Sequence, residues 1–544
     1  MIVGTKNIIS DIKMILEKYS IVELVELSYS QFQNIDIQCN NLVKHAKNSN
    51  IEEIKRELLN KLNENKYIQN VSLTDNNFIN IELNINYFNE NLNLEIDQLN
   101  ENKHSIIIDY GGPNIGKALH VGHLRTLNIG RSIYNTNKLA GNKIISDIHL
   151  GDWGMPVALI LAFIEKNKID INSVNYLDLE SIYPDANNLA KSDEAFYESA
   201  KKIAKKLNTG DKLTLDNWKK IYKTSVTEIK KLLKEMGHSF DWFYGESDVV
   251  EETKKVIEDA KSQKKVVDDN GALVSKEKYE PPIILVKSDG SFLYLTTDLG
   301  TVYFREKKQV FNQHLYVVDQ RQSNHFNQLF STVSYFGLSN KEFQHISYGT
   351  MNGVDNKPLK TRDGGVYKLT TLRDDIENEL KKKNSEKNSL GILTNTILTY
   401  SDLVPNRTQN YKFEIDKFTE TNGKTGIYIQ YAQVRARKIL ESAPQVSKIS
   451  FNDDLNEEER NLIFEISKFY YIFFNSLEKH EPHHLAEYAY TLSQVFNTFY
   501  TNNKIFSEEI SDVERKKRIY LVKLFYQKIL QVFESLGIEP VDKM

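Results

Sequence analysis

The stretch PNIGKALHVGH, residues 113–123, decides the fold of this 544-residue chain. It follows SIIIDY at 105–110, a β-branched run that predicts a buried strand, and its glycines predict a loop. From residue 119 to residue 139 the apolar residues recur with helical spacing, so a helix is expected to begin at the end of the stretch. A strand, a glycine-bearing loop and a helix start, in that order, indicate a nucleotide site in an α/β domain.

Two histidines, His120 and His123, lie three residues apart at this helix start and therefore share a face. Free backbone N–H groups and the positive end of the helix dipole favour a phosphate there, and Gly122 lets a nucleotide approach the backbone without meeting a Cβ. Imidazole donors can stabilise the charge that develops at the α-phosphorus, which is worth about 2.7–4 kcal/mol for one well-placed donor.

A metal site and a pair of ordinary surface side chains are the alternatives for these histidines. No cysteine and no third histidine occurs between residues 113 and 139. A zinc site usually has three or four protein ligands, so this segment alone does not complete one. The strand, loop and helix setting favours phosphate.

The longer stretch PNIGKALHVGHLR resembles the HIGH motif of class I aminoacyl-tRNA synthetases, in the form found in arginyl-tRNA synthetases. Further segments are similar to that family, in the family's order, and together they cover nearly the whole chain. They are IHLGDWG at 148–154, YLTTDLGTVYFR at 294–305, YVVDQRQSNHF at 316–326, GIYIQYAQVRARKIL at 426–440, HHLAEYAYTLSQVFNTFY at 483–500 and GIEPVDKM at 537–544.

The resemblance implies an arginine–tRNA ligase, which activates L-arginine with ATP to arginyl-adenylate and transfers it to the 3′ end of tRNA(Arg). Together with the apolar patterns it predicts an α/β protein of three parts. Residues 1–100 are expected to be a small α/β N-terminal domain that contacts tRNA. Residues 101–375 are expected to form a class I Rossmann-type catalytic domain, with an insertion at about 165–278, and residues 376–544 an α-helical bundle that binds the anticodon.

A pocket for arginine has a definable chemistry. The guanidinium is a planar, permanently charged fork of five donors, so it needs carboxylates and neutral acceptors around it. Asn114 and His123 are expected to hold the α-amino or the carboxylate end of the substrate, and the sequence leaves open which. By resemblance, the arginine-binding positions are Asp109, Asn114, Tyr294, Asp298 and Gln322, with His123.

ATP is expected to lie against Gly116, His120, Gly122 and His123, with Mg²⁺ on its phosphates and no bound structural metal. Class I synthetases usually carry a KMSKS loop. Here the matching stretch is NKPLKTRDGG at 356–365, so the full motif is missing. Lys360 or Arg362 would reach the phosphates, or Lys117 would supply the charge from the other side. The predicted catalytic residues are His120, His123, Lys117 and Lys360.

By resemblance, tRNA contacts fall in both terminal regions. Phe78 and Asn80 match such positions in NNFINIEL at 76–83, where Asn77 stands at a position that is glycine in many relatives. Tyr428, Arg435 and the terminal Met544 match positions that lie against anticodon bases. Tyrosine and arginine suit unstacked bases chemically. A packing role stays open for each of these residues.

Composition sets limits on function. The net charge of −4 is small, so any RNA must be bound by local patches of Lys and Arg rather than by a surface that is basic throughout. A single cysteine, Cys39, excludes an intrachain disulfide and suits the cytoplasm. Lys6, Asp11 and Lys13 interrupt the first apolar run, which argues against a signal peptide or membrane span. We expect a cytoplasmic monomer that binds no membrane.

Two alternative functions remain at this point. The altered second motif would suit a synthetase-like RNA-binding protein that has lost amino-acid activation, whereas the intact HVGH argues against it. A class I enzyme for a different amino acid is the other alternative, and the acidic set of pocket residues argues against that one.

Overall fold

The computed structural model describes residues 3–30, 35–276, 283–288, 290–353, 357, 359, 367–383 and 385–544. The chain divides into two compact units. Unit 1 comprises Met1–Glu101, Leu139–Gly141 and Glu420–Met544, and unit 2 comprises Asn102–Lys138 and Asn142–Thr419. Among the described residues, none of the helices combines the length and the apolar character needed to cross a bilayer.

The N-terminal part of unit 1 combines helices with an antiparallel sheet of strand order β1-β2-β4-β3. In the strand INIEL every second residue is buried, so one face of the sheet lies in the core. The elements are α1 (Val3–Lys18), β1 (Leu27–Tyr29), β2 (Ile37–Cys39), α2 (Ile51–Asn63), β3 (Ile68–Leu73), β4 (Ile79–Leu83), α3 (Ile85–Asn91) and α4 (Ile96–Leu99).

Asn77, in the turn before β4, has a φ of 63°. This is the left-handed region, which glycine occupies freely and asparagine more readily than most other residues. The backbone therefore explains why asparagine stands where many relatives have glycine.

Unit 2 is built around a parallel sheet, and its elements follow one another along the chain as strands and helices. They are β5 (Ser105–Asp109), α5 (Val121–Leu139), β6 (Lys143–Leu150), α6 (Met155–Lys166), α7 (Tyr176–Ser192), α8 (Glu194–Asn208), α9 (Lys212–Glu235), β7 (Trp242–Gly245), α10 (Val250–Ser262), β8 (Val266–Asp269), β9 (Ala272–Ser275), β10 (Ile284–Val286), α11 (Tyr294–Lys308), β11 (Gln313–Asp319), α12 (Ser323–Phe336), β12 (Glu342–Tyr348), β13 (Met351–Asn352), α13 (Leu369–Lys382), α14 (Leu390–Leu403), β14 (Tyr411–Lys412) and α15 (Ile415–Phe418).

The parallel sheet has the strand order β12-β11-β5-β6-β7. From β5 the chain winds outward through β6 and β7, and it then returns to the other side of β5 for β11 and β12. Such a reversal opens a crevice at the carboxyl ends of the two central strands, where doubly wound proteins bind their ligands. The predicted α/β, Rossmann-type fold is confirmed.

The range assigned to the insertion, 165–278, contains more than inserted helices. Helices α7, α8 and α9 fill its first part, but the chain then returns to the parallel sheet at β7. The short run WFYG at 242–245 forms this strand. The sequence pattern hides it because four residues between helices carry no clear period.

Unit 2 extends to Thr419, so α13, α14 and α15 belong to it, although the helical region was predicted to begin at 376. The C-terminal part of unit 1 is the predicted helical bundle. Its core includes the buried Phe469 and Phe473, and the rings of Phe496 and Phe525 stack 3.8 Å apart. Its helices are α16 (Gly426–Ser442), α17 (Glu457–Ser467), α18 (Phe469–Lys479), α19 (His483–Asn502) and α20 (Asp512–Leu536).

Candidate active site

His120 and His123 stand side by side at the start of α5, with ring centroids 4.1 Å apart. The backbone N–H of His120 donates to Nδ1 of His123 at 3.1 Å, and the N–H of Gly122 donates to Nδ1 of His120 at 3.0 Å. A neutral imidazole whose Nδ1 accepts a hydrogen bond carries its proton on Nε2. The segment therefore presents two Nε2–H donors with fixed tautomers.

Both imidazoles are held in the neutral form. Burial, with the neighbouring His120 and Lys117, lowers the pKa of His123 to about 3. Burial and the Lys117 ammonium also lower the pKa of His120. The positive charge beside the pair thus comes from Lys117, whose Nζ lies 4.2 Å from the centre of the Tyr183 ring. The pair itself acts through hydrogen-bond donation.

The two glycines predicted to meet ATP have packing roles within the protein. A Cβ at Gly122 would lie 2.7 Å from Cε1 of His120, so glycine is needed for the ring to rest on the backbone. Gly116 has a φ of 73°, and a Cβ there would come within 2.4 Å of the Ile160 side chain in α6. Its N–H donates to the Ser225 hydroxyl at 2.9 Å. Both glycines therefore set the shape of the loop.

Lys360 and Arg362 lie outside the described residues, but the chain on either side of them is held by the HIGH-like segment. On the C-terminal side, the carbonyl of Tyr367 accepts from the N–H of Val121 at 3.0 Å, and the N–H of Leu369 donates to the carbonyl of Leu119 at 2.9 Å.

On the N-terminal side, the buried guanidinium of Arg125 in α5 donates to the carbonyls of Gly349 and Gln409, each at 2.9 Å, and pairs with Asp402 at 3.0 Å. The chain is consequently anchored at Gly349, before Lys360 and Arg362, and at Tyr367, after them, to residues at or near the start of α5.

Asn114 is placed by the IHLGDWG segment. The N–H of Ile115 donates to the carbonyl of Gly151, and the N–H of Gly151 donates to the carbonyl of Pro113, both at 3.1 Å. A Cβ at Gly151 would lie 2.2 Å from Oδ1 of Asn114. The amide of Asn114 therefore lies on this glycine, beside the carboxyl end of β6.

We use the name carboxyl pocket for the group of side chains around Asp298, where α11 and α12 begin. Tyr294 and Asp298 are one turn apart on α11, with Tyr294 70% exposed. Nε2 of His325 lies 2.6 Å from Oδ2 of Asp298. Gln322 is exposed at the start of α12, one turn before His325. The structure thus brings together Tyr294 and Asp298, and it places Gln322 one turn before the histidine that bonds to Asp298.

Glu246 joins this pocket, although the sequence analysis did not select it. Burial, followed by the charges of Asp152 and Asp298, raises the pKa of Glu246 to about 8. The buried Asp152 holds the next residue: its Oδ1 accepts from the N–H of Ser247 at 2.9 Å and its Oδ2 from the hydroxyl at 2.6 Å. A carboxylate directly after a parallel strand, in YGES at 244–247, was the signal that could have revealed it.

Asp109 has a partner within the protein. Its Oδ2 accepts from Nη2 of Arg305 at 2.5 Å, and the same guanidinium donates to Oδ2 of Asp147 from Nε at 3.0 Å and from Nη2 at 2.7 Å. Arg305 is fully buried, while the Asp109 side chain is 17% exposed. A guanidinium of the chain itself thus occupies one oxygen of the carboxylate that was predicted to meet the substrate.

A metal at the histidine pair has no support in the part of the chain that the structure describes. There, the group of three or more side chains close enough to share an ion is Glu481, His483 and His484, whose ligand atoms lie within 4.8 Å of one another. That group is in unit 1, whereas His120 and His123 are in unit 2.

In unit 1, the predicted anticodon residues Tyr428 and Arg435 lie on α16 beside α19. The guanidinium of Arg435 is 4.7 Å from the ring centre of Tyr431 and 4.6 Å from that of Tyr500. Tyr428 packs 5.3 Å from Tyr490. We call these five residues the aromatic-basic face. The sequence analysis did not single out Tyr431, Tyr490 or Tyr500, although Tyr428 and Tyr431 are spaced one helical turn apart.

The remaining predicted tRNA residues are only partly buried. Phe78 and Asn80 flank the buried Ile79, and Oδ1 of Asn80 accepts from the Gln38 amide at 2.8 Å. The C-terminal segment, which ends at Met544, is held along α16 because Gln430 donates to the carbonyl of Glu539 at 2.7 Å.

A doubly wound parallel sheet whose central strand leads into a neutral HxxH pair at a helix start is the arrangement expected of adenylate-forming enzymes, and the family models identify the class as that of the class I aminoacyl-tRNA synthetases. Three family models match the chain. They are the catalytic domain of class I (R) tRNA synthetases at residues 87–415, the DALR anticodon binding domain at 429–544 and the arginyl tRNA synthetase N terminal domain at 6–83.

Curated relatives and solved structures agree. The chain is 34% identical over 483 residues to an arginine–tRNA ligase of Agathobacter rectalis, covering 81% of each chain, and 33% identical over 555 residues to that of Alkaliphilus oremlandii, covering 93% of each. The arginyl-tRNA synthetase structure from Plasmodium falciparum superposes with a TM-score of 0.82 at 25% identity, covering 99% of each chain. The Thermus thermophilus structure shows the same fold, with a TM-score of 0.82 at 18% identity over 100% of each chain.

The chain belongs to the arginyl-tRNA synthetase family. Its activity is that of an arginine–tRNA ligase, and ATP is the nucleotide substrate of this family.

Proposed function

We propose that unit 2 activates L-arginine with ATP in the crevice at the carboxyl ends of β5 and β11. A carboxylate oxygen of arginine attacks the α-phosphorus, and pyrophosphate leaves. The terminal ribose hydroxyl of tRNA(Arg) then attacks the carbonyl of the adenylate, and AMP leaves. The observation that carries this proposal is the presence of a neutral donor pair and of a carboxyl pocket in one unit. Tyr316 on β11 lies near both Asp109 and Asp298, because the charges of these two carboxylates act on it.

ATP would be bound by the histidine pair. The Nε2–H groups of His120 and His123 suit the oxygens of the α-phosphate, where charge develops in the transition state. Lys117 supplies a positive charge beside them, and Lys360 or Arg362 reaches the pyrophosphate from the anchored segment. Mg²⁺ accompanies the phosphates. Catalysis then rests on positioning and electrostatics, with no covalent enzyme intermediate.

The guanidinium of arginine would enter the carboxyl pocket. Asp298 and Glu246 provide carboxylates, Tyr294 and Gln322 provide neutral groups, and Asp109 borders the pocket beside Arg305. Asn114 and His123 hold the α-amino or carboxylate end. Lysine would supply the positive charge, but its ammonium group lacks the planar fork of donors that a guanidinium presents. Citrulline, which is similar in shape but uncharged, would leave a carboxylate unpaired.

Unit 1 would hold tRNA(Arg). Tyrosine rings and an arginine on the aromatic-basic face are suited to stacking with unpaired anticodon bases, and Met544 extends this surface. Phe78 and Asn80 would contact the tRNA from the N-terminal domain. We further propose that the protein acts as a monomer and that the reaction takes place in the cytoplasm, where tRNA is charged.

The test is charging of a tRNA(Arg) transcript with labelled arginine, lysine and citrulline. We expect charging with arginine alone. Tight tRNA binding without charging would support the RNA-binding alternative, and charging with a different amino acid would support a class I enzyme of other specificity. An anticodon-substituted transcript tests unit 1: its KM should rise for the wild type and rise less for Arg435→Ala.

A further inference from the structure

His325, the third residue of α12, borders the carboxyl pocket. Its Nε2 lies 2.6 Å from Oδ2 of Asp298 on α11. The side chains are 27% and 34% exposed, respectively, so the pair lies at the edge of the pocket rather than beneath it. The ring of Phe326, which is itself 7% exposed, packs 5.3 Å from the imidazole. The imidazole therefore packs against the Phe326 ring and is hydrogen-bonded to the Asp298 carboxylate.

This bond fixes the orientation of the carboxylate. The terminal torsion of an aspartate is broad, so a free carboxylate samples many planes. A guanidinium binds best to a carboxylate held in one plane, with both oxygens facing the fork. A fixed donor on one lone pair of Oδ2 sets that plane and leaves the second lone pair of Oδ2 and both lone pairs of Oδ1 for the guanidinium.

We propose that His325 is a positioning residue for the substrate arginine: the neutral imidazole orients Asp298 for the guanidinium, and the protonated imidazole competes with the guanidinium for the same carboxylate. This inference rests on the proposed role of Asp298 in arginine binding. It adds to that role a second residue and a dependence of arginine affinity on pH.

The charges around His325 support proton competition. The bond to Asp298 raises the pKa of His325, and burial opposes the rise. The other titratable groups nearby are Glu246, which faces Asp298, the ion pair of Asp319 with Arg321 before α12, and His345, which stacks on the far side of Phe326. A guanidinium on Asp298 would lower the pKa of His325 again. Arginine binding therefore releases a proton, and the KM for arginine rises as the pH falls through the raised pKa.

The experiment measures aminoacylation by the full chain between about pH 6 and pH 8, varying arginine and ATP separately. His325→Ala should raise the KM for arginine about tenfold, the loss expected for a hydrogen bond to a charged group, with kcat and the KM for ATP within about twofold. His325→Gln keeps an N–H near the position of Nε2 but does not titrate. It should restore the KM for arginine at pH 8 and reduce its rise toward pH 6, leaving only the part of the rise that Glu246 contributes.

Asn327→Ala is the matched control, because this exposed residue is two positions further along α12 and about 200° around the helix. It should behave as the wild type. An unchanged KM for arginine in His325→Ala would overturn the inference, as would a parallel rise in both KM values with a lower melting temperature. A rise in the KM for arginine toward pH 6 that is as large in His325→Gln as in the wild type would assign the whole titration to another group, Glu246 first.

Asp298→Asn distinguishes the inference from the pocket itself. If Asp298→Asn leaves the KM for arginine unchanged, the pocket assignment fails. If Asp298→Asn raises it while His325→Ala matches the wild type, only the role of His325 fails.

Discussion

The histidine pair and the carboxyl pocket belong to one unit, but they are built in opposite ways. Backbone N–H groups within three residues of each ring fix the pair, so the segment HVGH carries both its chemistry and its geometry. The pocket draws Glu246 from the turn after β7, Asp298 from α11 and His325 from α12. A site that local backbone bonds fix can therefore be predicted from the sequence. A site assembled from distant segments is harder to predict, because it depends on how those segments pack together.

The two regions also differ in how they use burial. Burial lowers the pKa of His123 to about 3 and raises the pKa of Glu246 to about 8, so both groups are neutral near pH 7 when no ligand is bound. An anionic phosphate needs only donors from the pair. A bound guanidinium, in contrast, favours the ionised form of the Glu246 carboxyl group. Arginine binding is therefore expected to release a proton.

The largest expected effect is on the pair. His123→Ala removes an Nε2–H donor and should lower kcat about 100- to 1000-fold, the usual loss for one donor to a developing oxyanion. Single-turnover formation of arginyl-adenylate measures it. His104→Ala, which removes an exposed histidine, is the control. If kcat falls by less than tenfold, the histidine pair is not the main source of electrostatic stabilisation of the transition state.

The next effect is on the pocket. Asp298→Asn removes a carboxylate that would bind the guanidinium, and it should raise the KM for arginine about 10- to 100-fold, as expected for a lost hydrogen bond between charged groups. The KM for ATP should change little. Asp216→Asn, in the exposed part of α9, is the matched control. Equal rises in the KM for arginine and in the KM for ATP would contradict the assignment of ATP to the histidine pair and of arginine to the carboxyl pocket.

A third substitution tests how locally the pair is built. Gly122→Ala would place a Cβ 2.7 Å from Cε1 and 2.9 Å from Nδ1 of His120, so the ring must move off the Gly122 amide. We expect kcat to fall about tenfold. The melting temperature should stay the same or rise, because alanine is a better helix former than glycine by about 1 kcal/mol. A thermal melt and a kcat measurement on one preparation decide this, and an unaltered kcat would contradict it.

The smallest effect concerns proton release. Below pH 8 the empty pocket holds Glu246 protonated, and a bound guanidinium favours the ionised form, so arginine affinity should increase toward pH 8 and level off above it. Calorimetry of arginine binding in two buffers of different ionisation enthalpy measures the released protons. Glu246→Gln should reduce their number, and Glu251→Gln on α10 should not. Equal release by both variants would exclude Glu246 as a proton donor.

The sequence was sufficient for the fold and the histidine pair. Ile106, Ile107 and Ile108 form a fully buried run, as a central parallel strand requires, and the loop and helix follow directly. Glu246 was missed because its strand, β7, has four residues and lies between helical segments. The pairing of Asp109 with Arg305 was invisible for a related reason: it joins residues 196 positions apart, and residue type alone does not identify a partner.

The second nucleotide motif shows another limit. Lys360 and Arg362 stay predictions, because they lie outside the described residues. The anchors on either side of them were not predictable. On the C-terminal side they are hydrogen bonds between backbone groups, which any residue type can make, and on the N-terminal side Arg125 bonds to backbone carbonyls, which residue type does not identify.

Those anchors have an evolutionary consequence. Arg125 holds Gly349 and the backbone of residues 119–121 holds Tyr367 and Leu369, so these anchors do not depend on the side chains between them. The cost of closing a loop changes only slowly with its length. Mutation can therefore move a basic residue from one position between these anchors to another, or insert residues there, while the anchors themselves stay in place. A lineage can lose the KMSKS signature in this way and keep the reaction.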